Sequence, residues 1–122
     1  MRPPSLLVPR GFVGPMSEWE LTVEELKARR DRGERLRLID VREPWEHSHC
    51  RIPGSELIPL MSLPTRTGEL QVEEEIVVYC HTGNRSANAV AFLRQRGYGK
   101  AKNLAGGIDA WAARVDPTVP RY

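Results

Sequence analysis

Ile76-Val77-Val78-Tyr79-Cys80-His81-Thr82-Gly83-Asn84-Arg85-Ser86-Ala87-Asn88-Ala89-Val90 is the stretch that decides the fold. Four apolar residues in a row, preceded by Glu73-Glu74-Glu75, have the make-up of a short buried parallel strand. From Ser86 onward Ala87, Val90, Ala91 and Leu93 fall at helical spacing, and Gly97 is a stop signal. A lone cysteine therefore stands between the C-terminal end of a strand and the N-terminal end of a helix. A short loop there, with a glycine in it, turns successive N–H groups toward one point, and the helix start adds positive partial charge. Such a cradle binds anions and favours a thiolate over a thiol. Arg85, at the far end of the loop, adds a cation and a two-pronged fork suited to a tetrahedral oxyanion. Taken alone, Cys80 would be an inert core cysteine.

Cys80-His81-Thr82-Gly83-Asn84-Arg85-Ser86 resembles the active-site loop of the rhodanese (sulfurtransferase) family, whose common form is Cys-x-x-Gly-x-Arg-Ser. Asp40-Val41-Arg42-Glu43-Pro44-Trp45-Glu46 and Asn103-Leu104-Ala105-Gly106-Gly107-Ile108-Asp109-Ala110-Trp111 are similar to two further stretches of that family, in the same order. The three motifs span most of residues 17–114. The resemblance implies an α/β fold: a three-layer domain with a mainly parallel five-stranded sheet flanked by helices. It implies Cys80 as the catalytic residue, His81, Thr82, Gly83, Asn84, Arg85 and Ser86 as the substrate-binding loop, and Asp40 and Arg42 as a buried polar network supporting the site. No cofactor and no metal are implied. The alternative for Asp40 and Arg42 is a surface ion pair worth ~0 to 1 kcal/mol. Cys50-Arg51-Ile52-Pro53-Gly54-Ser55 resembles a Gly-His-Ile-Pro-Gly-Ala turn of the family, but Arg51 stands where the family has His, so that residue's role does not carry over.

The 122 residues suit one domain with its own core. Residues 17–115 form the expected domain and 116–122 a C-terminal tail. Residues 1–16 are an N-terminal extension, a vector-derived remnant or an upstream misread start, since Leu7-Val8-Pro9-Arg10-Gly11 resembles a thrombin cleavage site. Leu6-Leu7-Val8 between prolines falls short of the roughly 7–15 apolar residues an export signal needs. Two cysteines are too few for a disulfide framework, and a reactive thiol needs a reducing compartment, so a cytoplasmic location is expected. Eighteen basic residues against sixteen acidic leave +2, too weak a field to argue for nucleic acid or a membrane as partner.

The remaining elements follow from local signals. A short strand is expected over 18–21, then a helix opened by the capping-box pattern Thr22-Val23-Glu24-Glu25 and packed through Val23, Leu26 and Ala28, with Gly33 as its stop. Leu36 to Val41 is the second strand. Pro44 begins one short helical segment in which Trp45 packs. His47 and His49, two residues apart, share no helix face, so no metal site is read there. Leu57-Ile58 is a third strand, followed by a polar loop over 59–70, with Pro64, Gly68 and one helical turn, bordering the pocket. After the central strand and its helix, residues 100–104 form the last strand. Gly106-Gly107 turns into a helix over 108–113 anchored by Trp111. The tail, with Pro117 and Pro120, is expected to run over the surface.

One thiolate in an anion cradle supports a double displacement in which sulfane sulfur passes from thiosulfate or a similar small-molecule donor to Cys80. From there it goes to a thiophilic acceptor: cyanide, a thiol or a protein sulfur acceptor. Two other classes are open. A cysteine phosphatase or arsenate reductase of the same fold has one more residue in the loop than separates Cys80 from Arg85 here. A non-catalytic interaction module would have lost Cys80.

Overall fold

The computed structural model describes residues 18–122, and the expectations for residues 1–16 lie outside the described residues. Five strands, β1 (Glu20–Leu21), β2 (Arg37–Asp40), β3 (Glu56–Leu57), β4 (Ile76–Tyr79) and β5 (Ala101–Leu104), form one sheet in the order β1-β5-β4-β2-β3. Every pairing is parallel. The helices are α1 (Val23–Asp31), α2 (Pro44–His49), α3 (Leu63–Arg66), α4 (Asn84–Gln95) and α5 (Gly107–Arg114).

Successive strand side chains point to opposite faces, so the central pair feeds two cores. Leu38, Val77 and Tyr79 pack on one face with Leu26 of α1 and Ile108 and Trp111 of α5. Ile39, Ile76, Val78 and Cys80 pack on the other with Val90 and Leu93 of α4. All four β4 residues are buried, which is why that strand carries no polar alternation. Leu26 and Leu93 fasten the two helix layers, and truncating either to alanine should cost about 2–5 kcal/mol.

Several boundaries differ from the sequence reading for identifiable reasons. The first strand starts at Glu20, where pairing to Asn103 begins, and the third covers Glu56–Leu57, in register with Ile39 and Asp40. The capping box opening α1 is formed in both directions, between the Thr22 hydroxyl and Glu25 N–H (3.0 Å) and between the Glu25 carboxylate and Thr22 N–H (2.8 Å). Ala28, however, faces solvent. Residues 59–70 hold more than the one helical turn expected there: two 3-10 turns flank α3, and Leu63 and Leu70 enter the second core. The tail does not merely cross the surface, because Val119 is buried in the first core.

This topology places the site. From β2 the sheet continues outward through β3, and from β4 it continues the other way through β5 and β1. Loops at the C-terminal end of β4 therefore leave in diverging directions, and parallel sheets open a ligand crevice at such a point.

Candidate active site

Cys80 follows β4 directly and is buried. Its Sγ accepts hydrogen bonds from Gly83 N–H (3.1 Å) and Ser86 N–H (3.4 Å), and lies 3.3 Å from Ser86 Oγ. Gly83, with φ +114°, precedes the first residue of α4, a conformation that side chains rarely adopt and that aims its N–H back at the sulfur. The loop carbonyls turn the other way. Cys80 O accepts from Ile108 N–H (2.9 Å) and His81 O from Asp109 N–H (3.0 Å), both at the start of α5. One helix start thus satisfies the loop's acceptors while the loop's own donors face the thiol. Gly107 makes this approach possible: a Cβ there would sit 2.5 Å from Cys80 O and closer still to His81 O.

The Ser86 hydroxyl has a single proton and two neighbours, Asn103 Oδ1 at 2.5 Å and the Cys80 sulfur at 3.3 Å. Asn103 Nδ2 donates to Gly83 O (3.2 Å) and Glu20 Oε2 (3.1 Å), which fixes the amide orientation and leaves Oδ1 to accept. The two backbone amides are therefore permanent donors to the sulfur, and the hydroxyl is one that must first leave Asn103. The sequence reading quoted Asn103 at the head of the third motif but gave it no role. Its signal was a polar residue within the buried run of β5.

Asp40 and Arg42 are both fully buried, so the surface-pair alternative does not hold. Arg42 Nε and Nη2 donate to the two Asp40 oxygens (2.9 and 2.7 Å), Nη2 also to Cys50 O (2.6 Å), and His47 Nδ1 lies 2.8 Å from Asp40 Oδ2. Removing one partner would leave a buried charge unpaired, a loss of about 3–5 kcal/mol.

Arg85 is not an open fork. Its Nη1 and Nη2 donate to Glu46 Oε1 (2.8 Å) and Oε2 (3.0 Å), and Glu46 is buried. Glu46 also accepts from Glu43 N–H (2.9 Å) and from the Tyr122 hydroxyl (2.7 Å). The Arg85 guanidinium, outweighing burial and helped by Glu43 N–H and Tyr122, holds the Glu46 carboxyl at about 2. Here α2 inverts the expected pattern. Trp45, expected to pack, is 63% exposed, while its charged neighbour Glu46 turns inward because Arg85 waits there.

Tyr122 was not anticipated at all. Its hydroxyl accepts from Arg42 Nη1 (2.7 Å) and donates to Glu46, and its ring stacks on His81 with centroids 4.0 Å apart and planes 9° apart. Burial pushes the phenol up to about 12. His81 is half-buried, and its Nε2 has no hydrogen-bond partner among the described residues, whereas Thr82 and Asn84 are exposed. Among the described residues no three His, Cys, Asp or Glu side chains cluster as metal ligands would.

The rhodanese-like domain model matches residues 22–114. A sulfurtransferase of Allochromatium vinosum is 39% identical over 100 residues, covering 82% of this chain and 94% of that protein. The probable adenylyltransferase/sulfurtransferase MoeZ of Mycobacterium tuberculosis is 39% identical over 104 residues, covering 84% of this chain, which spans only 26% of MoeZ. A rhodanese-like domain protein from Staphylococcus aureus has the same fold, with a TM-score of 0.74 at 29% identity over 84% of this chain and 97% of that one. With the cradle, its order in the chain and these likenesses in agreement, the chain belongs to the rhodanese-like family of sulfurtransferase domains.

Proposed function

We propose that the protein transfers sulfane sulfur from thiosulfate or a similar donor to a thiophilic acceptor through a persulfide on Cys80. The observation that carries this reading is the convergence of Gly83 N–H and Ser86 N–H on the Cys80 sulfur at the end of β4. In the first half-reaction the Cys80 thiolate attacks the outer sulfur of thiosulfate. The sulfur–sulfur bond of the donor breaks, its electron pair leaves with sulfite, and Cys80 carries the transferred sulfur as a persulfide anion. In the second, cyanide or a thiolate attacks that terminal sulfur, the persulfide bond breaks, and the electron pair returns to Cys80. No oxidant and no general base are needed. Amides fixed by the fold stabilise negative charge on the sulfur without reorganising during the reaction. Arg85 supports oxyanion binding even when paired, since a guanidinium has five N–H donors and Glu46 takes two. Asp40 and Arg42 support the site from below, and the chemistry of a free persulfide suits a cytoplasmic, reducing setting and either a small-molecule or a protein thiol acceptor.

Incubating the purified protein with thiosulfate, removing the donor and recording the intact mass tests the reading. A gain of one sulfur atom, reversed by cyanide with release of thiocyanate, is expected. An unchanged mass with every sulfane donor tried, in folded protein, would overturn it.

A further inference from the structure

We propose that Tyr122 is a positioning residue for sulfur transfer, its phenol fixing Glu46 and, through Glu46, the direction of the Arg85 guanidinium beside the Cys80 cradle. The proposal rests on the sulfurtransferase reading above and goes beyond it by adding a residue outside the loop motif.

Arginine offers no acceptor, so the phenol oxygen must accept from Arg42 Nη1 at 2.7 Å, and its only proton is left for Glu46 Oε2 at 2.7 Å. A continuous chain results: Asp40, Arg42, Tyr122, Glu46, Arg85. Its inner end is rigid, because Asp40 and Arg42 are fully buried, and its outer end is not, because the Arg85 side chain is 37% exposed. Tyr122 is the link that passes the rigidity of one to the other. Its ring does the same sideways. It meets Trp45 and His49 of α2 edge-on and lies flat on His81 of the loop, so it ties the two halves of the site together.

The tail holding Tyr122 is anchored independently of the phenol. Val119 is buried in the first core, and Arg121 pairs bidentately with Asp109 (3.0 Å twice) in the first turn of α5, the same turn that holds the Cys80 and His81 carbonyls. Tyr122→Phe should therefore keep the ring in place and remove only the two hydrogen bonds.

In a two-step transfer, kcat/KM for the donor reports loading of Cys80 and kcat/KM for the acceptor reports unloading. Of the two bonds lost in Tyr122→Phe, the one to Glu46 acts on Arg85, and its loss should lower the thiosulfate value roughly 3- to 10-fold and leave the cyanide value within about twofold. In an Arg85→Ala background the same substitution should have almost no further effect on thiosulfate, because the residue it acts through is gone. Equal loss for donor and acceptor, or full additivity with Arg85→Ala, would overturn the proposal. Loss of thiosulfate activity that only tracks loss of folded protein in Tyr122→Phe would overturn it too, as the mark of a structural strut. Failure of the sulfurtransferase reading looks different: the unsubstituted protein would then transfer no sulfur at all.

Discussion

Arg85 and Glu46 meet fork to fork, 2.8 and 3.0 Å apart, with the carboxylate buried and the guanidinium partly open to solvent. The cation at the end of the cradle is thus part-neutralised before any substrate arrives. It contributes directed N–H donors more than net charge, and both its stability effect and its substrate preference follow from that.

The pair should make stability acid-sensitive. Glu46 titrates at about 2 in the folded chain, below the ordinary 4.5, so its contribution is complete above about pH 4.5 and is lost as pH falls toward 2. With the exposure of Arg85 discounted, about 1–2 kcal/mol is expected. Urea unfolding of the unsubstituted protein and Arg85→Ala at pH 6.5 and pH 3 checks this, since the other carboxylates cancel between the two. The stability gap should be clearly smaller at pH 3, and an undiminished gap would refute the linkage.

Donor choice should depend on Arg85, though less than a free cation would make it. Thiosulfate presents a dianion with several oxygens, and 3-mercaptopyruvate a single carboxylate. Arg85→Ala should lower kcat/KM for thiosulfate by about one decade, the lower end of what a charge-assisted hydrogen bond supplies, and for mercaptopyruvate by clearly less. Arg85→Lys should recover only part, because an ammonium cannot hold Glu46 and an oxyanion in one plane. Equal losses for the two donors would mean that Arg85 organises the loop without selecting the substrate.

Gly107 should be intolerant of any side chain. A Cβ would collide with the Cys80 and His81 carbonyls, and φ is +61° there. Gly107→Ala is expected to cost at least about 2 kcal/mol from strain and overlap, and to reduce loading of Cys80 by thiosulfate. Gly99→Ala, where a Cβ meets nothing within 4 Å, serves as the control and should stay within about 0.5 kcal/mol. Denaturant midpoints and intact-mass loading read both effects, and a Gly107→Ala protein of full stability and activity would count against the close approach.

Cys80 and Cys50 should behave differently under thiosulfate. Cys80 packs in the second core and Cys50 in the first, so the sheet lies between the two thiols and no resolving disulfide is expected. Cys80→Ser should gain no sulfur by mass, and Cys50→Ala should gain it as the unsubstituted protein does. A folded Cys50→Ala that cannot turn over would point to an exchange between the thiols.

The strand, loop and helix from Ile76 to Gln95 were legible in the sequence because their signals are local: an apolar run, a glycine in the loop, and helical spacing closed by Gly97. The position of Cys80, the parallel sheet and the glycine pair at Gly106-Gly107 followed from the same kind of signal. What only the tertiary structure decided is which polar groups meet. Glu46 lies 39 residues from Arg85 and 76 from Tyr122, and nothing in the stretch Pro44-Trp45-Glu46 says that the carboxylate goes in and the indole stays out. Backbone propensity and apolar periodicity act over a few residues. The burial of a charge depends on whether a partner arrives from elsewhere in the chain to offset its desolvation, and that is settled only when the sheet, α2 and the tail have packed.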